Sequence, residues 1–163
     1  MSAGGIAAGA QSASDISIQG EAFDAAAEIA RLTERLQGRA GAIVTFTGLC
    51  RDEGGRLTGL ELEHYPGMAE AEIGRVVVTA RERWPLQAVR VIHRHGLVAP
   101  GDGIVLVVTA SSHRVAAFEA ASFLMDYLKT TAPFWKREHL ADGTTGGWVE
   151  ATGADDEAAA RWA

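Results

Sequence analysis

At 163 residues, with 47% hydrophobic and 22% charged side chains, the chain has the size and composition of one soluble globular domain with its own core. Its net charge of −6 argues against nucleic acid as a partner, so basic residues are expected to act locally, on an anionic small molecule. A single cysteine, Cys50, excludes an internal disulfide and a Cys-rich zinc site and suits a reducing cytoplasm, and no apolar run approaches the ~20 residues that span a bilayer.

Residues 1–14 (MSAGGIAAGAQSAS) are small and polar, without the basic and apolar regions of a signal peptide, and are expected to form a disordered leader before a single domain over 15–163. Ile16 to Ile18 alternates as a short strand. Glu21 to Leu36 has helical periodicity, with Phe23, Ala26, Ile29, Ala30 and Leu36 inward. The β-branched run Ala42–Thr47 predicts a buried strand that delivers Arg51 into the glycine-bearing loop RDEGG. Leu57 to His64 alternates and is expected to form a hairpin with that strand.

Tyr65-Pro66-Gly67-Met68 marks a turn. Ala69 to Trp84 predicts an amphipathic helix with Ile73, Val76, Val77 and Ala80 inward, stopped by Pro85. Val89 to His95 is a strand, followed by the turn Pro100–Gly103. Ile104 to Ala110 is continuously apolar, the pattern of a central strand buried on both faces. Mostly adjacent, hairpin-linked strands with interspersed helices predict an α+β fold with a mainly antiparallel sheet.

The most informative stretch is Ser111 to Glu138. Ser111 or Ser112 is expected to cap a helix that runs to the residues before Pro133. At 100° per residue Arg114, Phe118, Ala121, Met125 and Lys129 share one side, and Glu119, Ser122 and Asp126 form a narrow polar stripe. The rest is apolar, so this helix should be buried against a sheet or a second subunit. Arg114 and Lys129 stand about 22 Å apart along the axis and cannot grip one phosphate. They hold opposite ends of a long ligand, or one end serves a pocket completed by a second chain. Phe134 to Glu138 is extended, and Lys136 follows Lys129 after a short turn, so two ammonium groups can converge. Leu140 to Gly147 reads as a mobile loop, Trp148 to Glu150 as a short strand, and Ala154 to Trp162 as a last helix.

A strand-end arginine beside glycines suits bidentate anion recognition, although an ion pair of Arg51 with Asp52 or Glu53 on a surface turn fits equally well. A partly desolvated lysine among other cations loses its proton more easily and so can do acid–base work; taken singly, Lys129, Lys136 and Arg137 fit solvated surface charges better. The five histidines are scattered, with no metal-ligand spacing, and no phosphate-binding glycine loop or nucleophile elbow occurs. Cys50 fits a small buried hydrophobe better than a nucleophile. What these residues can build together is an anion pocket from Arg51, His113, Arg114, Lys129, Lys136 and Arg137, walled by Phe46, Met125, Phe134 and Trp135.

The collinear stretches VTFTG (44–48), LEHYPGM (62–68), RWPL (83–86), VIHRHG (91–96), SSHRVAAFEA (111–120), MDYLKTTAPFWKRE (125–138) and WVEA (148–151) resemble the large, catalytic subunit family of molybdopterin synthase. The resemblance implies an α+β hammerhead-type fold and a homodimer carrying a small ubiquitin-like sulfur-carrier subunit at each end, a heterotetramer in all. The carrier's Gly-Gly tail would end in a thiocarboxylate and supply sulfur to cyclic pyranopterin monophosphate, forming the dithiolene of molybdopterin, with no metal or cofactor required.

Carried over by position, Lys129 and Lys136 match the family's catalytic lysines. Arg51, His113, Arg114, Arg137 and Glu138 match substrate-binding positions, and Phe46 and Met125 match pocket walls. The chain departs from the family at Leu49, where some members carry a basic residue, at Thr152, where an arginine can occur, and in the acidic RDEGG loop. A docking scaffold for a ubiquitin-like protein, with no chemistry of its own, is the alternative.

Overall fold

The computed structural model describes residues 15–149 and 153–163; the leader and residues 150–152, including Glu150 and Thr152, lie outside them. The order of elements is β1 (Ile16–Gln19), α1 (Ala25–Leu36), β2 (Ala42–Leu49), β3 (Leu57–His64), α2 (Met68–Arg83), β4 (Leu86–Arg94), β5 (Gly96–Val98), β6 (Gly103–Ser111), α3 (Arg114–Thr130), β7 (Phe134–Leu140) and α4 (Gly153–Ala160).

Alternation along β6 divides the core in two. Val105 and Val107 point to one face, where they meet Ile73, Val76 and Val77 of α2 and Phe123, Leu124 and Leu128 of α3. Leu106, Val108 and Ala110 point to the other and meet Leu32 and Leu36 of α1. A strand covered by helices on both sides is apolar at nearly every position, which accounts for the long run seen in the sequence; the buried Thr109 is satisfied by donating to the Ala117 carbonyl. β6 is paired antiparallel on both edges, with β2 and β4, and β1 adds in parallel to β4, giving the order β1-β4-β6-β2.

The fold class is α+β with mainly antiparallel strands, but there are two sheets, and the expected hairpin of the second and third strands is not formed. β3 belongs instead to a three-stranded antiparallel sheet, order β5-β3-β7. Two causes stand out. The loop between them turns through three consecutive positive-φ residues, Glu53, Gly54 and Gly55, and carries the chain away from β2. On β3, Glu61 lies opposite Arg137 of β7 and accepts two hydrogen bonds from its Nη2, at 2.8 and 3.1 Å, a cross-strand charge pair that β2 cannot offer.

Helix ends also differ from expectation. α1 starts after Asp24, whose carboxylate accepts from the Ala27 N–H at 3.1 Å, and its buried side chains are Leu32 and Leu36, while Ala26 and Ala30 face out. Methyl groups carry too little apolar area to choose the face; the two leucines decide it. The residue capping α3 is His113, with no side-chain cap, because Ser111 is the last residue of β6 and its hydroxyl donates to the Pro85 carbonyl at 2.9 Å. α2 has the expected inward set and ends before Pro85.

α4 and the residues after it bind the chain end to α2 and α3. Trp162 meets Trp84 and Phe123 edge-on at 5.6 and 5.7 Å, and its Nε1 donates to Asp126 Oδ2 at 2.6 Å. Phe123, 1% exposed, sits at the centre of this cluster and also touches Tyr127. Truncating it empties the space between α3, Trp84 and Trp162, so Phe123→Ala is expected to lower unfolding free energy by about 3–5 kcal/mol, measured by urea denaturation.

Candidate active site

Where the two sheets part, a cavity of about 410 Å³ opens under the C-terminal end of α3. Phe46, Gly48 and Leu49 of β2 form one wall, Met125, Leu128 and Lys129 of α3 another, and Phe134, Trp135 and Lys136 of β7 a third, with His93 of β4 also on its lining. Gly48 is required by the close approach of its neighbours: a Cβ there would lie 2.7 Å from Val105 Cγ1 and 3.3 Å from the Phe46 ring.

The lysines converge because the chain reverses between them. The Thr131 N–H and hydroxyl both donate to the Tyr127 carbonyl at 2.8 Å, ending α3, and the Phe134 N–H donates to Ala132 across a tight turn at Pro133. β7 then returns along the cavity. Its Lys136 is held by paired backbone hydrogen bonds with Val149, at 3.0 and 2.8 Å. Lys129 is exposed and Lys136 half-buried.

Of the residues singled out from the sequence, Phe46, Met125, Lys129 and Lys136 line this cavity; Arg51, His113, Arg114, Arg137 and Glu138 do not. Arg51 is solvent-exposed and pairs with Glu53 at 3.0 Å. His113 and Arg114 are exposed at the opposite end of α3. Arg137 is engaged by Glu61 and lies over the Trp148 ring at 4.5 Å. The same Glu61 contacts His139 at 2.8 Å; these partners, Arg137 first, hold its carboxyl below the usual glutamate range. Glu138 lies 2.8 Å from the Arg56 guanidinium, an ion pair without an aligned hydrogen bond. Residues 140–147 are tied as a turn by Leu140 N–H to Thr144 and by Asp142 to Thr144.

Sequence reasoning missed His93 and Asp156 as cavity residues. The signal in the sequence is strand alternation over Val89 to His95, which turns His93 inward from β4 while Arg94 reaches the Gly20 carbonyl. His93 is buried, stacked on Phe134 with ring centroids 3.7 Å apart, and its pKa is pushed down to about 4. Burial is the main cause, and the positive charges of Lys136 and Lys129 add to it, partly offset by the Arg94 carbonyl. Cys50 is buried, and burial together with Asp102 pushes its thiol up, against use as a thiolate. Among the described residues no group of three or more His, Cys, Asp or Glu is arranged to hold a metal ion, and no helix is long and apolar enough to cross a membrane.

The depressed His93 pKa has a linked effect on stability. Between pH 6.5 and about 4 the unfolded chain binds a proton at this position that the folded chain does not, so stability falls as pH is lowered through that window. Replacing the ring by Phe removes this proton. The difference in unfolding free energy between His93→Phe and the parent chain, followed by urea denaturation, is expected to shift in favour of the variant by on the order of 3 kcal/mol from pH 7 to pH 4.

Comparison with known proteins agrees with this fold. The family model described as MoaE protein matches residues 18–131. The chain is 67% identical over 149 residues to the molybdopterin synthase catalytic subunit of Mesorhizobium japonicum, an alignment covering 90% of this chain and 92% of that one. Among solved structures it resembles the molybdopterin biosynthesis MoaE protein of Burkholderia ambifaria, with a TM-score of 0.78, 46% identity and coverage of 91% and 97% of the two chains. It also resembles the molybdopterin synthase of Staphylococcus aureus, with a TM-score of 0.70, 30% identity and coverage of 80% and 96%. With a family model spanning most of its length, relatives matched nearly end to end and a fold that brings two lysines to one cavity, the chain belongs to the MoaE family.

Proposed function

We propose that this chain is the catalytic subunit of a molybdopterin synthase, a sulfurtransferase of molybdenum cofactor biosynthesis. It receives sulfur from the C-terminal thiocarboxylate of a small ubiquitin-like carrier and passes it to cyclic pyranopterin monophosphate, forming the dithiolene. The observation that carries this reading is the convergence of Lys129 and Lys136 on one cavity in a chain of this family. Relatives named as a catalytic subunit support a second, carrier subunit.

The cavity suits the task. An anionic thiocarboxylate entering past exposed Lys129 meets an ammonium group, and Lys136 stands deeper to balance charge that develops on the reacting ring and its phosphate. Phe46 and Met125 supply flat apolar surface for a pterin ring. Sulfur arrives on the partner's tail, so the buried Cys50 has no nucleophilic task, and a free buried thiol suits a cytoplasmic location.

Arg51, His113 and Arg114 hold the substrate's phosphate in this reading, with Arg137 and Glu138 framing the β7 side. His113 and Arg114 sit at the uncapped N-terminus of α3, where free N–H groups favour an anion. They are a helix length from Lys129 of the same chain, so they serve the cavity of a second copy. Val115 and Phe118 beside them are 60% and 61% exposed, and β2 is an edge strand carrying half-exposed Phe46, an apolar surface that a homodimer would cover.

The test combines purified chain, thiocarboxylated carrier and cyclic pyranopterin monophosphate, with the dithiolene product as readout. Lys129→Ala and Lys136→Ala are each expected to lower turnover by about a hundredfold or more while binding the carrier with near-parental affinity. Product formation by Lys129→Ala close to the parental rate would refute the assignment and favour a docking scaffold.

A further inference from the structure

Phe134 opens β7 where the ladder between β3 and β7 ends: its register partner, His64, is the last residue of β3. The end of a ladder opens easily, and the Phe134 N–H is engaged locally, donating to Ala132 within the turn. A row of rings holds this point. Phe134 stacks on His93 of β4, with centroids 3.7 Å and planes 14° apart, and also meets His64 at 5.9 Å and 28°. His64 is backed in turn by His95 at 4.7 Å, and the His95 N–H donates to the Gln19 carbonyl of β1 at 2.9 Å. The row therefore ties β4 and β1 of the four-stranded sheet to the start of β7 in the three-stranded one.

Both imidazoles that meet Phe134 are themselves held. His93 is buried on β4, in register with Ile18 of β1 and Val105 of β6, and its Nδ1 lies 2.8 Å from the Arg94 carbonyl oxygen. Nδ1 of His64 is sealed from solvent without a hydrogen-bond partner, so at that atom the ring contributes contact surface alone. Phe134 lines the cavity and stands between its two lysines along the chain. Lys136 follows on the same face of β7, and Lys129 precedes it across the turn that ends α3. His64 is not among the residues that line the cavity.

We infer that Phe134 is a positioning residue of the lysine cavity: held against His93 and His64, its ring fixes where β7 begins relative to the end of α3, and so sets Lys136 against Lys129. The inference rests on the sulfur-transfer reading for its effect on turnover, and on the contacts of the rings for its structural content.

The experiment has an arm for each. The first is crystallographic. His64→Leu removes a ring that does not line the cavity, and the start of β7, with Lys136, is expected to shift away from the end of α3 relative to crystals of the parent chain. His64→Phe keeps a ring there and is expected to restore the parental position. If β7 and Lys136 superpose in all three structures, the inference is overturned.

In the second arm, turnover with thiocarboxylated carrier and cyclic pyranopterin monophosphate is compared at a temperature where every variant is fully folded. His64→Leu and Phe134→Leu are each expected to lose about ten- to a hundredfold in kcat with KM for the carrier little changed, a split that lower stability alone does not produce. His64→Phe and Phe134→Tyr are expected to regain most of that loss. Full kcat in His64→Leu, or an equal loss in His64→Phe, overturns the inference. A parent chain that forms no product strikes the sulfur-transfer reading instead and leaves the crystals to decide on Phe134.

Discussion

Strand β6 has no face turned to water: Val105 and Val107 pack under α2 and α3, while Leu106, Val108 and Ala110 pack against α1. Both of its edges are paired as well. A strand in that position sets the level of everything that touches it. β2 and β4 are held in register beside it, which places Phe46 and Gly48 on one side and His93 on the other. α3 lies across its face, held also by the Thr109 hydroxyl, which donates to the Ala117 carbonyl at 2.7 Å. The C-terminal end of α3, and with it Lys129, is therefore carried to the place where the four-stranded sheet ends and the three-stranded sheet begins.

The site lies in that gap. A cavity between sheets needs walls from both, and here β2, β4 and β6 come from one sheet while β3 and β7 come from the other. Cross-strand pairing of Glu61 with Arg137 and His139 secures β7 in the second sheet. Alternation along β7 then puts Arg137 and His139 on the face of Glu61 and leaves Lys136 for the cavity. Two cations adjacent in sequence thus take different work: Lys136 faces the cavity, and Arg137 builds the sheet that presents it. His93 shares the cavity lining with the lysines, and its burial, with the charges of Lys136 and Lys129 added, pushes its pKa down.

Much of the fold could be read directly from residue patterns. The two-sided apolar run of β6, the inward set Ile73, Val76, Val77 and Ala80, the stop at Pro85 and the helix–turn–strand from Lys129 to Lys136 all depend on local periodicity and on proline geometry. The misassigned hairpin of β2 and β3 has a different origin. Strand partners are chosen by total burial and cross-strand pairing across the domain, and sequence adjacency is only a weak guide to that choice. Ser111 failed as a helix cap for a similar reason, since the ladder of β6 and the Pro85 carbonyl claim it first.

By itself the amino-acid sequence determined the chain's class, its helix and strand content and, through long collinear motifs, the family and the identity of the candidate lysines. These are properties of short windows, in which residue type and spacing already express the physics. Only the tertiary structure decided that there are two sheets, that Lys129 and Lys136 share one cavity with His93, and that Arg137 is taken up by Glu61 while His113 and Arg114 stand a helix length away. Each of these depends on which surfaces are buried against which. That choice is settled by packing and desolvation over the whole domain, where residues far apart in the chain first meet.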